Sequence, residues 1–113
     1  MNLPFEYDHV AVGEFGGTRP TTTDFERARV VIVPVPLDRT TSYVAGTRNG
    51  PHEILVASSH MELWDEEMQS DVHSVGIFTM PEMEFPYESL ERVAKEIRRV
   101  TWYSRIPPMS VAK

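Results

Sequence analysis

The residues able to bind a metal or transfer a proton are spread thinly along this chain. Its four histidines, His9, His52, His60 and His73, stand alone, and none belongs to a His-x-Asp or Asp-x-His-x-Asp motif. Cysteine is absent, which excludes a disulfide framework, a zinc ribbon, an iron–sulfur centre and a thiol nucleophile. The sequence therefore predicts no catalytic residue and no metal ligand within its 113 residues.

Three short combinations could do chemistry in another context. His60-Met61-Glu62 matches the start of a zinc deaminase signature, but that chemistry needs a later Cys-x-x-Cys, so packing at a helix end is expected. Asp65-Glu66-Glu67 offers oxygen ligands suited to magnesium or calcium, although adjacent acids on a helix diverge and a solvated surface is expected. Asp8 could orient His9 as a base, but nothing nucleophilic stands beside them.

Composition narrows the class of protein. With 11 Lys and Arg against 17 Asp and Glu, the net charge is −6, and a nucleic-acid partner is not expected. The longest apolar run, at 30–33, is too short to span a bilayer, so a cytoplasmic protein without a membrane partner is expected. The sequence contains no glycine-rich phosphate-binding motif, so nucleotide binding is not predicted. Trp64 and Trp102 are expected to pack as anchors or, if exposed, to mark an interaction surface.

The elements that position these residues alternate between strand and helix. Four successive β-branched residues within 29–35 predict a strand buried on both faces, as in a parallel sheet. A helix is predicted over 51–60, a second strand over 72–79 and an amphipathic helix over 87–100. This order predicts an α/β fold with parallel strands. The expected apolar faces of the helices are Ile54, Leu55, Ser58, Met61 and Leu63, and then Leu90, Val93, Ala94 and Ile97. In the second strand, Val75, Ile77 and Met80 are expected near a turn that ends at Pro81.

The domain organisation follows from those elements. Residues 1–28 are predicted to form an irregular segment that lies over another part of the chain, and 29–100 to form a partial α/β domain. Residues 101–113 are a divergent tail. A strand that is apolar on both faces needs a helix layer on each side, which two strands and two helices cannot supply well. The sequence therefore predicts part of a larger sheet, and an isolated chain of marginal stability.

The loop after the first strand holds the candidate binding residues. Thr40, Thr41 and Ser42 follow the carboxyl end of a parallel strand, where open α/β sheets place ligands, so they are candidate rim residues. The structural residues of the loop are Gly46, Arg48, Gly50 and Pro51. Both glycines suit positive φ or a close backbone approach, and Arg48 could pair with a carboxylate elsewhere in the sheet or on another subunit.

Four motifs follow one another in this region. They are Val31-Ile32-Val33-Pro34-Val35-Pro36-Leu37-Asp38, Thr40-Thr41-Ser42-Tyr43, Gly46-Thr47-Arg48-Asn49-Gly50-Pro51, and the acidic-aromatic segment Glu62-Leu63-Trp64-Asp65-Glu66-Glu67. In this order they resemble the N-terminal portion of the agmatinase branch of the arginase–agmatinase ureohydrolase family. The resemblance covers roughly residues 28–100.

That resemblance implies a fold and an activity. The fold would be the N-terminal part of a three-layer α/β/α sandwich with a parallel sheet, here incomplete, in a protein that forms homo-oligomers. The activity would belong to polyamine metabolism: hydrolysis of a small guanidino substrate, agmatine, to putrescine and urea. Complete members use two manganese ions that lower the pKa of a bridging water.

The family's metal-binding segments, Gly-Gly-Asp/Glu-His, Asp-Ala-His-x-Asp and Asp-x-Asp, do not occur here. Where the family continues into a third apolar strand, this chain has Pro107-Pro108, which cannot sit in a central strand. We therefore expect manganese in the complete family member, none bound by this chain, and no hydrolysis by this chain alone. A truncation, a frame disruption and a natural short form remain open. So does a catalytically silent module that docks on full-length subunits or another partner.

Overall fold

The computed structural model describes residues 3, 5–10, 13–17, 24–39 and 42–105. Within these residues the chain forms six short strands, two α-helices and three single 3-10 turns. The strands are β1 (His9–Val10), β2 (Val30–Ile32), β3 (Trp64–Asp65), β4 (Ser70–Asp71), β5 (Ile77–Thr79) and β6 (Glu82–Met83), and the helices are α1 (Gly50–Ser58) and α2 (Leu90–Arg105). None of the helices among the described residues is long and apolar enough to cross a membrane.

The central feature is the parallel pair formed by β2 and β5. Val30 lies opposite Ile77 and Ile32 opposite Thr79, so the predicted parallel pairing is confirmed. Both strands are shorter than predicted. Residues Val72–Val75 form a 3-10 turn, capped by the Asp71 carboxylate, which accepts from the His73 backbone N–H at 2.9 Å. Gly76, at φ 82°, then redirects the chain into β5, because this left-handed conformation suits glycine.

Helix α2 is shifted along the chain relative to the predicted range of 87–100. It begins at Leu90, because the preceding Ser89 acts as a cap: its hydroxyl accepts from the Arg92 N–H at 3.4 Å, and its carbonyl accepts the first helical bond from the Val93 N–H at 3.1 Å. It continues to Arg105, with the Ser104 hydroxyl donating to the Val100 carbonyl at 2.8 Å. Its inner face differs from the predicted one. Val93 and Val100 are buried and Ile97 is half-buried, whereas Leu90 and Ala94 are exposed.

Helix α1 has nine residues and a narrow buried face. Leu55 and Ser58 are buried, as predicted, but Ile54 is 60% exposed. Met61, also predicted to face inward, is 46% exposed because the helix ends before it. The Ser58 hydroxyl accepts from the Gly16 N–H at 2.9 Å, so part of the N-terminal segment lies against this helix.

Two antiparallel pairs, which the sequence did not predict, flank the parallel one. Strand β1 pairs with β6, and β3 pairs with β4 in a hairpin whose turn is closed by the Asp65 carboxylate, accepting from the Met68 N–H at 2.8 Å. Asp65-Glu66-Glu67 therefore lies on a hairpin and not on a helix. His60-Met61-Glu62, predicted to pack at a helix end, is exposed at all three positions.

The core lies between the parallel pair and α2. Its buried members are Tyr7, Phe78, Met80, Met83 and Val100, and half-buried residues packed on them include Val31, Val33 and Ile97. The Tyr7 hydroxyl donates to the Pro81 carbonyl at 2.7 Å, and burial raises the pKa of this phenol. Burial of β2 on both faces is not reached: Val30 is 43% exposed, and the two residues after it are half-buried. Val75, which lies in the 3-10 turn before β5, is 39% exposed.

Candidate functional site

A cleft lies beyond the carboxyl ends of β2 and β5. Its volume is about 480 Å³, and its walls come from the loop after β2 and from the segment that contains β6. The lining residues are Val10, Pro36, Leu37, Asp38, Arg39, Arg48, Asn49, Glu82, Met83, Glu84, Phe85 and Pro86. This is the edge of a parallel pair where α/β sheets bind ligands.

Asp38 organises the loop on one side of the cleft. Its Oδ2 accepts from the Gly46 backbone N–H at 2.9 Å and lies 3.3 Å from the Arg48 Nε. The Asp38 side chain is only 10% exposed, whereas that of Arg48 is 63% exposed. The carboxylate that pairs with Arg48 therefore lies in the same loop. Asp38 binds both the Gly46 backbone N–H and the Arg48 guanidinium.

Arg39 connects the two walls. Its guanidinium donates to the backbone carbonyls of Phe85, at 2.7 Å, and Tyr87. Tyr87 in turn donates to the Asp8 carboxylate at 3.0 Å, and this hydrogen bond is the main cause of the raised pKa of its phenol. The contacts tie the loop after β2 to the chain after β6, so the cleft has fixed walls on both sides.

The predicted rim residues divide into two groups. Thr40 and Thr41 lie outside the described residues, while Ser42 is exposed near the cleft loop. Pro51 lies in the first turn of α1, directly after the 3-10 turn Thr47–Asn49. The use of Thr40, Thr41 and Ser42 as rim residues stays a prediction.

The two glycines of this loop differ in their conformational role. Gly46 has φ 141°, a conformation that favours glycine, so the predicted need for positive φ holds there. Gly50 has φ −53°, and no atom lies within 4 Å of the position where its Cβ would stand. Neither of the two reasons predicted for a glycine at position 50 therefore applies.

The donor set does not fit a metal centre. Among the described residues, no group of three or more His, Asp or Glu side chains comes together to hold a metal ion. In the cleft, Asp38 is engaged by Arg48 and a backbone N–H, while Glu82 and Glu84 are the other carboxylates in its walls. What these carboxylates can do is bind a cationic group, since a guanidinium pairs with carboxylates through charge-assisted hydrogen bonds.

The sequence analysis did not predict the burial of His73, whose side chain does not line the cleft. It is 5% exposed, and neither ring nitrogen has a hydrogen-bond partner among the described residues. A Cβ at Gly16 would stand 4.0 Å from its Nδ1, so the N-terminal segment covers the ring.

Comparison with known proteins identifies the family. The arginase family model matches residues 28–107, which include β2, the cleft loop, β5 and α2. The chain belongs to the arginase family. The match extends beyond Val100, where the sequence resemblance was expected to stop, and it includes the C-terminal turns of α2.

The most similar relatives of this arginase-family chain include proteins named as ureohydrolases. The N(1)-aminopropylagmatine ureohydrolase of Synechocystis sp. is 45% identical over 58 residues, which are 50% of this chain and 19% of that protein. A protein of the same name from Thermus thermophilus is 44% identical over 55 residues, or 49% of this chain and 19% of the relative. The chain therefore covers about a fifth of the length of these relatives. No solved structure gives a significant match.

Proposed function

We propose that this chain is the N-terminal part of an agmatinase-type ureohydrolase, which hydrolyses agmatine and water to putrescine and urea. The observation that carries the proposal is the arginase-family match over residues 28–107, together with 45% identity to a ureohydrolase. The division into an N-terminal segment (1–28), a partial ureohydrolase domain (29–100) and a tail (101–113) belongs to the same proposal. So do a homo-oligomeric assembly and a cytoplasmic location.

The proposed fold is a portion of a three-layer α/β/α sandwich. Within the described residues β2 pairs only with β5, and a groove of about 570 Å³ runs beside it. Val31 and Val33 line one side of this groove, and Thr101 and Ser104 of α2 line the other. A parallel sheet is stable when its strands are covered on both faces and paired at both edges. Further strands beside β2 would complete it.

The proposed substrate is a cationic guanidino compound. Asp38 already holds the guanidinium of Arg48 at 3.3 Å, and Glu82 and Glu84 stand in the same cleft. Agmatine carries a guanidinium at one end and an amine at the other. The printed name of the relatives describes an agmatine extended by an aminopropyl group, so this longer compound is the second substrate to test.

The hydrolytic chemistry is assigned to the complete protein and not to these residues. Arginase-family enzymes are generally manganese-dependent, and manganese would supply the activated water. The residues described here do not form a metal centre. The chain contributes the first strands and the cleft wall.

Urea release tests whether this chain alone can hydrolyse the substrate. Purified chain 1–113 is incubated with excess manganese and either agmatine or N(1)-aminopropylagmatine, and urea is followed over hours. We expect no urea above the protein-free blank with either substrate. Urea that a chelator abolishes would place the chemistry inside this chain and overturn the proposal.

A second function is a silent module that docks on full-length subunits or another partner. The second edge of β2 favours it, since among the described residues β2 pairs only with β5, and an unpaired strand edge can accept a strand from another chain. Reading the coding DNA beyond Lys113 in all three frames separates the two functions. Segments of the Gly-Gly-Asp/Glu-His and Asp-Ala-His-x-Asp type there would favour the enzyme, and unrelated sequence would favour the module.

A further inference from the structure

The outer side of α2 carries a surface that combines cations with aromatic rings. We call it the basic–aromatic face; its residues are Lys95, Arg98, Arg99, Trp102 and Tyr103, and they surround a depression of about 500 Å³. Trp102, expected to pack as an anchor, is 56% exposed. The Arg105 guanidinium lies 5.6 Å from the centre of its ring, in cation–π contact. An exposed tryptophan among arginines is typical of an interaction surface.

The charges on this face are only partly neutralised within the chain. Arg99 is held by Glu96 at 2.5 Å and by the Glu6 carbonyl at 2.8 Å. Lys95 lies 3.2 Å from Glu91, but both side chains are about three-quarters exposed, so this pair competes with water. The exposed Arg98 guanidinium forms no ion pair with any residue that the structure describes. Lys95 and Arg98 are therefore available to bind an acidic partner.

A second surface of the same chain has the opposite charge. The β3–β4 hairpin, residues 64–71, exposes Glu66 and Glu67 at its turn, together with Trp64 (53% exposed) and Met68 (73% exposed). The turn is ordered by its own hydrogen bonds, since the Gln69 side-chain amide donates to the Glu66 carbonyl at 2.7 Å. This acidic hairpin thus presents carboxylates and apolar side chains on a rigid support.

Charge is segregated along the whole sequence in the same way. No Lys or Arg occurs between Arg48 and Arg92, a stretch that contains ten acidic residues. Helix α2 carries five Lys and Arg residues against Glu91 and Glu96. None of the ion pairs among the described residues joins the hairpin to α2. The two surfaces are complementary, and within one molecule their charges are not paired with each other.

We infer that the acidic hairpin of one copy docks on the basic–aromatic face of a second copy. Glu66 and Glu67 pair with Lys95 and Arg98, while Trp64 and Met68 pack near Trp102. Because the two surfaces are different, the contact is head-to-tail, and association continues until a ring closes or an open chain forms. This contact rests on the homo-oligomeric assembly in the proposed function and gives it a surface, but it is independent of the urea chemistry and of the groove beside β2.

Salt dependence is the first test, on the full chain. Sedimentation velocity is measured at about 50 mM and about 500 mM NaCl, since screening at high salt weakens exposed ion pairs. We expect species larger than the monomer at low salt and their loss at high salt. Tryptophan emission should shift to the blue as the species form, because Trp64 and Trp102 leave water. A monomer under both conditions would overturn the inference.

Charge reversal is the second test. The variant Lys95→Glu/Arg98→Glu and the variant Glu66→Lys/Glu67→Lys should each dissociate about tenfold or more readily than the parent chain. Mixing these two variants should restore association, because each now carries the charge that the other has lost. The matched controls are Arg27→Glu/Arg29→Glu and Glu26→Lys/Glu53→Lys, whose side chains are exposed elsewhere.

Circular dichroism of every variant should show the same helix content as the parent chain, so that changes in association do not reflect unfolding. Association that survives both reversals contradicts the inference, and so does an equal effect of the controls, which would reflect net charge alone. Mixed variants that stay apart also contradict it. Restoration in the mixture, with both controls unaffected, supports the specific pairing of hairpin and helix.

Discussion

Helices α1 and α2 relate to the core in different ways. Val93 and Val100 of α2 are 1% and 0% exposed, and most of its charged residues are exposed. In α1, Leu55 is 5% exposed while its neighbours Ile54 and Val56 are 60% and 47% exposed. The difference teaches that α2 separates a buried apolar face from a largely charged one, with Leu90 and Trp102 as its exposed large apolar residues, whereas α1 is apolar on sides that nothing in the described chain covers. That is the expected state of a helix belonging to a larger domain.

The largest expected effect is at the buried centre of α2. Val100→Asp places a carboxylate where the side chain is 0% exposed, and burying an unpaired charge costs more than about 4 kcal/mol. The chain should lose its cooperative thermal transition, measured by circular dichroism. Val100→Ala, which shrinks the side chain without adding a charge, is the control. A folded Val100→Asp variant would show that α2 does not belong to the core.

Helix α1 should respond less strongly at its one buried aliphatic residue. Leu55→Ala removes a side chain that is 5% exposed, and such changes cost about 2–3 kcal/mol in a site that can partly collapse. We expect a lower midpoint of urea denaturation with an unchanged slope. A loss of stability as large as that of Val100→Asp would contradict the conclusion that α1 contributes less to the core than α2.

A pH-dependent effect is expected on the outer side of α2. The hydrogen bond from Arg99 holds the pKa of Glu96 below its usual value of 4.5. A depressed pKa contributes stability above the unfolded value, and this stability is lost as pH falls through the folded pKa. Glu96→Gln should therefore destabilise the chain at pH 7, by about 0.5 kcal/mol because the pair is partly solvated.

Denaturant titrations of the parent chain and of Glu96→Gln at pH 7 and at low pH measure this difference. The gap between the two proteins should close at low pH, where the parent carboxylate is protonated. Lys95→Gln, which breaks a pair that is exposed on both sides, is the matched control and should change little. A gap that stays constant with pH would assign the effect of Glu96→Gln to helix propensity.

The smallest effect is expected on the uncovered side of α1. Ile54→Lys replaces a side chain that is 60% exposed, so stability should change by less than about 0.5 kcal/mol. Aggregation at high concentration should fall, because an exposed apolar group is removed. Thermal melts and light scattering check both expectations. A loss of stability comparable to that of Leu55→Ala would mean that this side is covered.

The sequence predicted which strands and helices form better than it predicted which of their faces are buried. Parallel pairing followed from a run of β-branched residues, and the 3.6-residue pattern located α2, because both signals are local. The buried faces were partly wrong at Ile54 and Leu90, since burial depends on which elements lie opposite. The hairpin was missed because its strands have only two residues each, too few for an alternating pattern.

The candidate site was predicted in position more than in detail. Its place after β2 followed from a general rule for α/β sheets. The role of Asp38 depends on three-dimensional proximity to Gly46 and Arg48, which spacing alone does not reveal. The opposite wall, with Glu82 and Glu84, comes from a distant part of the chain and carried no motif.

The Asp38 carboxylate has a consequence for the energetics of the cleft loop. By bonding to the Gly46 N–H, eight residues away, it joins the two ends of the segment that contains the rim residues. Closing a loop costs conformational entropy, and here that cost is met on folding instead of on ligand binding. A ligand that enters the cleft therefore meets a loop whose ends are already held together, and less of its binding energy goes into ordering them.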